Sequence, residues 1–171
     1  MFRSILVAMD GSAHAKRALQ EAIDLARASG GALTLVTVVP EFSPWVLGAV
    51  GTPPPVDLAR LHDELVRNYR QMLEQEAAKV PDDVHSTSLL LEGRPPEAIV
   101  MRTRAAGHDL VVMGSRGRGE LYSLLLGSVS HHVLQASPIP VLVVHLAPSP
   151  GDGDDRSSPP AVETNSARVR A

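Results

Sequence analysis

The fold is decided by residues 109–130, which read DLVVMGSRGRGELYSLLLGSVS. Residues 109–113 predict a short strand that is covered on both faces, as strands of a parallel sheet are. A loop rich in glycine and arginine follows from Gly114, and a helix is predicted from about Gly127 to Gln135. Because a strand, a loop and a helix in this order are typical of α/β proteins, the flanking sequence is expected to repeat the alternation.

The rest of the chain does repeat it. Further strands are predicted at residues 5–9, 32–39, 84–91 and 141–144. Ser12 suits the N-cap of a first helix, which Gly30 ends, and a second helix starts near Leu58. A third helix begins at Pro95, since proline fits the first helical turn. Five strands alternating with four helices predict an α/β fold: a single open, doubly wound parallel sheet with helices on both faces.

The composition limits the classes of protein that fit this chain. Its 171 residues suit one domain, and with only 3% aromatic residues the core is expected to be aliphatic. Because nucleic-acid-binding domains are usually basic, the net charge of −3 predicts that this chain has no nucleic-acid partner. The sequence has no cysteine, which excludes disulfides, thiolate metal sites and cysteine catalysis. No apolar run reaches the roughly 18 residues of a membrane span, so no membrane partner and a cytoplasmic location are predicted.

Two segments differ from the alternating pattern. Residues 40–55 form a loop with Trp45 and three prolines, and loops of this length are usually functional or mobile. Beyond about Pro148 the sequence is rich in proline, glycine, serine and aspartate and almost lacks large apolar residues. We therefore predict one folded domain over residues 1–147 and a disordered tail over residues 148–171.

The loop after the fourth strand predicts an anion site. Free backbone N–H groups and the dipole at a helix N-terminus favour negative charge, and glycine lets the backbone approach a phosphate closely. Ser128 and Ser130 add hydroxyl donors, and Arg116 and Arg118 add charge. Tight packing of strand on helix would also explain the glycines. The spacing matches neither a Walker A loop nor the dinucleotide-binding fingerprint.

Asp10 ends the first predicted strand and has two interpretations that the residues alone leave open. Its carboxylate would accept hydrogen bonds from ribose hydroxyls or hold a metal ion beside the phosphate loop. Alternatively, Asp10-Gly11 forms a turn, or Asp10 caps the helix together with Ser12.

The glycine loop resembles one family. Gly114-x2-Gly117-x9-Gly127-Ser128 matches the nucleotide motif of ATP-binding universal stress proteins at every fixed position. Three further segments resemble the family: residues 5–12, 93–99 and 137–144. The resemblance covers roughly residues 1–146, so it predicts a universal stress protein domain over residues 1–147.

The resemblance implies a sheet in the order 3-2-1-4-5 with ATP at its carboxyl edge. It places Asp10 at the ribose, where its carboxylate would also contact a Mg²⁺ ion on the phosphates. It places the backbone of Val38 at the adenine. It implies a homodimer through the strand at residues 141–145, whose edge would otherwise be exposed. The other nucleotide-binding residues it implies are Ala8, Gly114, Ser115, Arg116, Gly117, Arg118, Gly119, Gly127, Ser128, Val129 and Ser130.

Three hypotheses for function follow. The first is a regulatory, stress-response protein in which ATP orders residues 114–130 and changes which protein partner docks. No general base is evident at a γ-phosphate, so no catalytic residue is assigned and any turnover is expected to be slow. The second is a slow Mg²⁺-dependent ATPase or nucleotidyl transferase that uses Asp10. The third is a nucleotide-free dimeric interaction module.

Overall fold

A computed structural model describes residues 1–41, 57–117 and 126–146. The strands and helices in this part of the chain alternate along the sequence. They are β1 (Ser4–Ala8), α1 (Ala13–Ser29), β2 (Ala32–Pro40), α2 (Leu58–Ala77), β3 (Ser86–Gly93), α3 (Pro95–Ala106), β4 (Leu110–Gly114), α4 (Ser128–Ala136) and β5 (Val141–Val144).

The five strands form one parallel sheet in the order β3-β2-β1-β4-β5, which confirms the predicted fold. Ile5 of β1 pairs with Leu33 of β2 on one side and with Leu110 of β4 on the other. The chain therefore reverses the direction in which it adds strands at β1 and β4. In open α/β sheets a ligand crevice forms at such a switch point, outside the carboxyl ends of the strands.

Each face of the sheet is covered by helices. On one face Ile5 and Val7 pack with α1 and with Leu73 of α2. On the other face Leu6 packs with α3 and α4, where Val133 is fully buried. Because β1 contributes alternate side chains to the two cores, a one-residue slip in its register would move each set into the wrong core. This packing fixes the carboxyl ends of β1, β2 and β4 relative to one another.

Local signals set the helix ends as predicted. The Ser12 hydroxyl accepts a hydrogen bond from the backbone N–H of Ala15 at 3.1 Å, so Ser12 is the N-cap of α1. Gly30 ends α1 in the left-handed conformation at φ 62°, which glycine adopts without a steric penalty. Pro95 occupies the first turn of α3.

The start of β3 and the buried face of α2 differ from the prediction. β3 begins at Ser86 and not at Val84, because Val84 closes a turn by donating its N–H to the Pro81 carbonyl at 3.0 Å. The predicted apolar face of α2 is buried at Leu73, whereas Leu58 and Leu61 are exposed. The C-terminal half of α2 therefore anchors this helix.

Some predictions concern residues outside the described part of the chain: most of the loop at 40–55, Arg118 and Gly119, and the tail at 148–171. The domain boundary at residue 147 therefore stays a prediction. Within residues 1–41, 57–117 and 126–146, no helix is both long and apolar enough to cross a membrane.

Candidate functional site

A cavity of about 330 Å³ opens at the carboxyl edge of the sheet, at the switch point between β1 and β4. The ends of β1, β2 and β4 form its floor, and the start of α4 forms one wall. This volume lies in the usual range for small-molecule sites, which is about 300–1,000 Å³. The cavity therefore has the position and the size of a ligand site in a doubly wound α/β protein.

The cavity gathers most of the residues predicted from the sequence. Its lining includes Ala8, Asp10, Val38, Gly114, Arg116, Gly117, Gly127, Ser128, Val129 and Ser130. Ser115 was also predicted but does not line the cavity: it is fully buried, and its hydroxyl has no partner among the described residues. Arg118 and Gly119 lie outside the described residues.

Gly114 is needed for packing. A Cβ built on this residue would lie 2.7 Å from backbone and side-chain carbons of His14 and 2.8 Å from the Ala15 nitrogen. Any larger residue would push the first turn of α1 away from the end of β4. At this position the packing interpretation of the glycine-rich loop is therefore correct, whatever the loop also binds.

Gly117 makes room for a carboxylate. A Cβ on Gly117 would lie 2.7 Å from Oδ2 of Asp10, far inside van der Waals contact. The glycine loop and the end of β1 therefore meet at this point, although they are more than 100 residues apart in sequence. A larger side chain at Gly117 would have to displace the Asp10 carboxylate or fill the cavity mouth.

The loop is fastened where it enters α4. The Gly127 N–H donates to the Ser115 carbonyl at 2.7 Å, and the Ser130 hydroxyl donates to the Gly114 carbonyl at 2.8 Å. Ser130 was predicted as a donor to a ligand, but its hydroxyl proton already points to Gly114. Ser130 therefore holds the loop in place.

The first turn of α4 presents backbone donors to the cavity. Gly127 is its N-cap and supplies no capping side chain, and the first intrahelical bond runs from the His131 N–H to the Gly127 carbonyl at 2.9 Å. The N–H groups of Ser128, Val129 and Ser130 precede that bond, so the helix itself gives them no acceptor. These N–H groups, the helix dipole and Arg116 make this end of the cavity attractive to anions.

Asp10 forms the predicted turn, and its carboxylate also lines the cavity. Its Oδ1 accepts the backbone N–H of Ser12 at 3.0 Å, which forms the turn between β1 and α1. The same carboxylate lines the cavity and faces Gly117 with Oδ2. The Ser12 hydroxyl also contacts the Arg116 carbonyl at 3.4 Å, so the turn and the glycine loop support each other.

A metal ion at this point would find one protein carboxylate. In the described part of the chain, no three His, Cys, Asp or Glu side chains lie close enough together to hold a metal. Mg²⁺ typically binds through one or two carboxylates and takes its other ligands from phosphate oxygens and water. The donor set at Asp10 therefore fits a magnesium ion that arrives on a polyphosphate, and does not form a metal cage of its own.

One end of the cavity, formed by β2 and the helices that contact it, is apolar. Val36, Val38 and Pro40 of β2, Tyr69 of α2 and Ile99 of α3 line it. Of these only Val38 was predicted as a site residue. The signal for Tyr69 was its place on the apolar face of α2, but that pattern does not tell core from cavity.

The fold and the cavity define a doubly wound α/β protein whose cavity is lined by a helix N-terminus and by apolar side chains. Residues 1–145 match the model of the universal stress protein family. The chain therefore belongs to the universal stress protein family.

Individual relatives agree with this assignment. A universal stress protein of Thermus aquaticus, from the QAH/OAS sulfhydrylase 3′ region, is 37% identical over 150 residues, which cover 84% of this chain and 99% of the relative. The solved structure of the hypothetical protein MJ0577 has a TM-score of 0.74 at 27% identity, over 87% of this chain and 99% of that chain. A universal stress protein solved in complex with cAMP has a TM-score of 0.54 at 25% identity, over 84% and 97% of the two chains.

Proposed function

We propose that this chain binds ATP in the cavity at the switch point and acts as a nucleotide-dependent regulatory protein in the stress response. The observation that carries the proposal is the union of an anion-binding helix start and an apolar pocket in one cavity of about 330 Å³. A nucleotide has the same two parts, a polyphosphate and a planar base. The related protein that binds cAMP supports an adenine nucleotide as the ligand.

The phosphates would lie at the α4 end of the cavity. Gly117 allows their close approach, the N–H groups of Ser128, Val129 and Ser130 donate to them, and Arg116 adds charge. Ser115, Arg118 and Gly119 belong to the proposed loop, Ser115 through its backbone and the other two as the continuation of the motif.

The nucleoside would occupy the rest of the cavity. Asp10 accepts hydroxyl groups of the ribose or holds Mg²⁺ on the phosphates, and Ala8 lines the floor beside it. The adenine lies against the apolar end, with the backbone of Val38 as its contact. ATP would thereby join the ends of β1, β2 and β4 to the start of α4, so that its binding changes the surface offered to a protein partner.

A slow ATPase or nucleotidyl transferase is the second candidate. The position of the Asp10 carboxylate beside Gly117 favours it, since a metal ion held there would contact the phosphates. We infer that any turnover is slow, because Oδ1 of Asp10 already accepts the Ser12 N–H and is engaged in the turn. Nucleotide analysis of the denatured protein separates the two candidates: bound ATP fits a regulator, and bound ADP or AMP fits an enzyme.

We also propose a homodimer through β5. This strand pairs with β4 on one side, and Leu142 in its middle is 37% exposed. An apolar strand at a sheet edge invites pairing with another chain. A cytoplasmic location stays a prediction from the sequence.

Calorimetric titration with ATP tests the proposed site. The wild-type protein should bind one ATP per chain, and Gly117→Val should weaken binding at least about tenfold because the new side chain meets Asp10. Ala105→Val is the matched control, since Ala105 is exposed on α3 and away from the cavity. Unchanged affinity in a folded Gly117→Val variant would overturn the placement of the phosphates.

A further inference from the structure

Tyr69 supplies the aromatic ring of the cavity within the described part of the chain. It enters from α2, whereas the proposed phosphate contacts come from β4 and α4. Tyr69 borders the apolar end together with Val38 and Pro40. This end therefore joins two aliphatic side chains with one planar, polarisable ring.

The position of the ring is fixed by the anchored half of α2. Leu73 lies one helical turn further on, and at 3% exposure it is part of the core between α1 and the sheet. Glu76 follows on the same helix, is 4% exposed and accepts two hydrogen bonds from the Lys79 ammonium at 2.7 and 2.8 Å. Tyr69 itself is half-buried, so part of its surface packs and part faces the cavity.

A nucleobase matches this environment in shape and chemistry. Aromatic side chains stack on nucleobases, since both present flat π-faces and their contact removes apolar surface from water. A purine offers a larger face than a pyrimidine, and a bare polyphosphate offers none. A ring at this end therefore distinguishes ligands by their base, independently of the phosphate contacts.

We propose that Tyr69 contacts the base of the bound nucleotide and determines the preference of the site for purines. The inference rests on the proposed nucleotide binding and adds the residue that reads the base. The aromatic ring carries the effect. Loss of the ring removes base recognition and leaves phosphate binding in place.

Titration calorimetry with three ligands tests this role: ATP, CTP and inorganic tripolyphosphate. Tyr69→Ala should weaken ATP binding about 5- to 100-fold, the range found when stacking aromatics are removed. It should weaken CTP less, so the ratio of ATP to CTP affinity falls. Tripolyphosphate affinity should stay within about twofold of wild type, and Tyr69→Phe should keep the ATP affinity within about threefold.

Met72→Ala is the matched control, because Met72 is a half-buried side chain of α2 that does not line the cavity. It should leave all three affinities unchanged. Wild-type affinity for ATP in Tyr69→Ala would overturn the inference, and so would an equal loss of ATP and tripolyphosphate affinity.

The failure of the inference and that of the proposed function are distinguishable. If ATP binds and Gly117→Val abolishes binding while Tyr69→Ala does not change it, the site is correct and the role of Tyr69 is wrong. If the wild-type protein binds neither ATP nor tripolyphosphate, both proposals are wrong.

Discussion

At the scale of single residues, the contact between Asp10 and Gly117 is the most informative feature of the site. A carboxylate fills the space that a side chain at Gly117 would need. This arrangement keeps a negative charge beside a loop proposed to bind phosphates, which is favourable only if a cation or a hydroxyl group lies between them. A substitution of Asp10 therefore tests whether Mg²⁺ takes part in nucleotide binding.

The substitution Asp10→Asn tests this point. The amide oxygen of asparagine still accepts the Ser12 N–H, so the turn that holds α1 should survive. We expect the variant to lose the enhancement of ATP affinity by Mg²⁺, while its affinity in EDTA stays equal or rises because a negative charge is gone. Titrations with and without Mg²⁺ measure this, and a magnesium effect of wild-type size would contradict the role of Asp10.

His108 predicts a pH dependence of stability that is unrelated to the cavity. It is 5% exposed, its Nδ1 is 2.9 Å from the Ser4 hydroxyl, and its buried Nε2 has no partner among the described residues. Burial lowers the pKa of His108 below its ordinary value of 6.5, Arg102 lowers this pKa further, and Asp109 opposes the shift. The folded state therefore disfavours the charged imidazolium.

The resulting stability is complete above pH 6.5, where the unfolded chain also has a neutral imidazole. As the pH falls through 6.5 toward the lowered pKa, the unfolded state takes up the proton first and the free energy of unfolding decreases. His108→Gln should show a weaker decrease between pH 7.5 and pH 5 in urea unfolding. The other histidines are the same in both proteins, so an identical pH slope would contradict this account.

At the scale of elements, β5 is one of the two edge strands of the sheet and pairs only with β4. Its Val143 packs toward the core of α3 and α4, while Leu142 is 37% exposed. Leu142→Lys places a charge on this edge and should convert the proposed dimer to a monomer of 18.2 kDa in light scattering. Met101→Lys is the control, since Met101 is 70% exposed on α3, and it should leave the mass unchanged. A wild-type protein that is already monomeric would contradict the proposed interface.

The elements themselves were predictable because their ends carry strong local signals. Ser12, Gly30 and Pro95 mark helix ends by backbone chemistry that needs no knowledge of the fold. The start of β3 was missed because Val84, which ends a turn closed by a backbone hydrogen bond, was counted with the apolar residues of the strand.

The candidate site was predictable in part, and for a different reason. The spacing of the glycines assigned Gly114, Gly117 and Gly127 to one loop site, and all three line the cavity. Tyr69 was not assigned to it, because helical periodicity shows which face of α2 meets the sheet but not which end of the sheet it reaches. The buried side chain of Ser115 shows a second limit of prediction from sequence. A residue can belong to a motif without its side chain pointing into the site.

At the scale of the whole molecule, the cavity exists because of the strand order. β1 and β4 are neighbours in the sheet although α1, β2, α2, β3 and α3 separate them in sequence. Their helices leave toward opposite faces of the sheet and open a crevice between them. The start of α4, the end of β2 and Tyr69 of α2 all line that crevice, so the proposed binding is a property of the complete fold.

The most direct test is a titration of ATP into the isotope-labelled protein, followed by backbone amide chemical shifts. The account predicts saturation at one ATP per chain, with the largest shifts at Gly117 and at the amides of residues 127–130. Saturable shifts that centre elsewhere, or no shifts at millimolar ATP, would contradict the proposal that this chain binds a nucleotide at the start of α4.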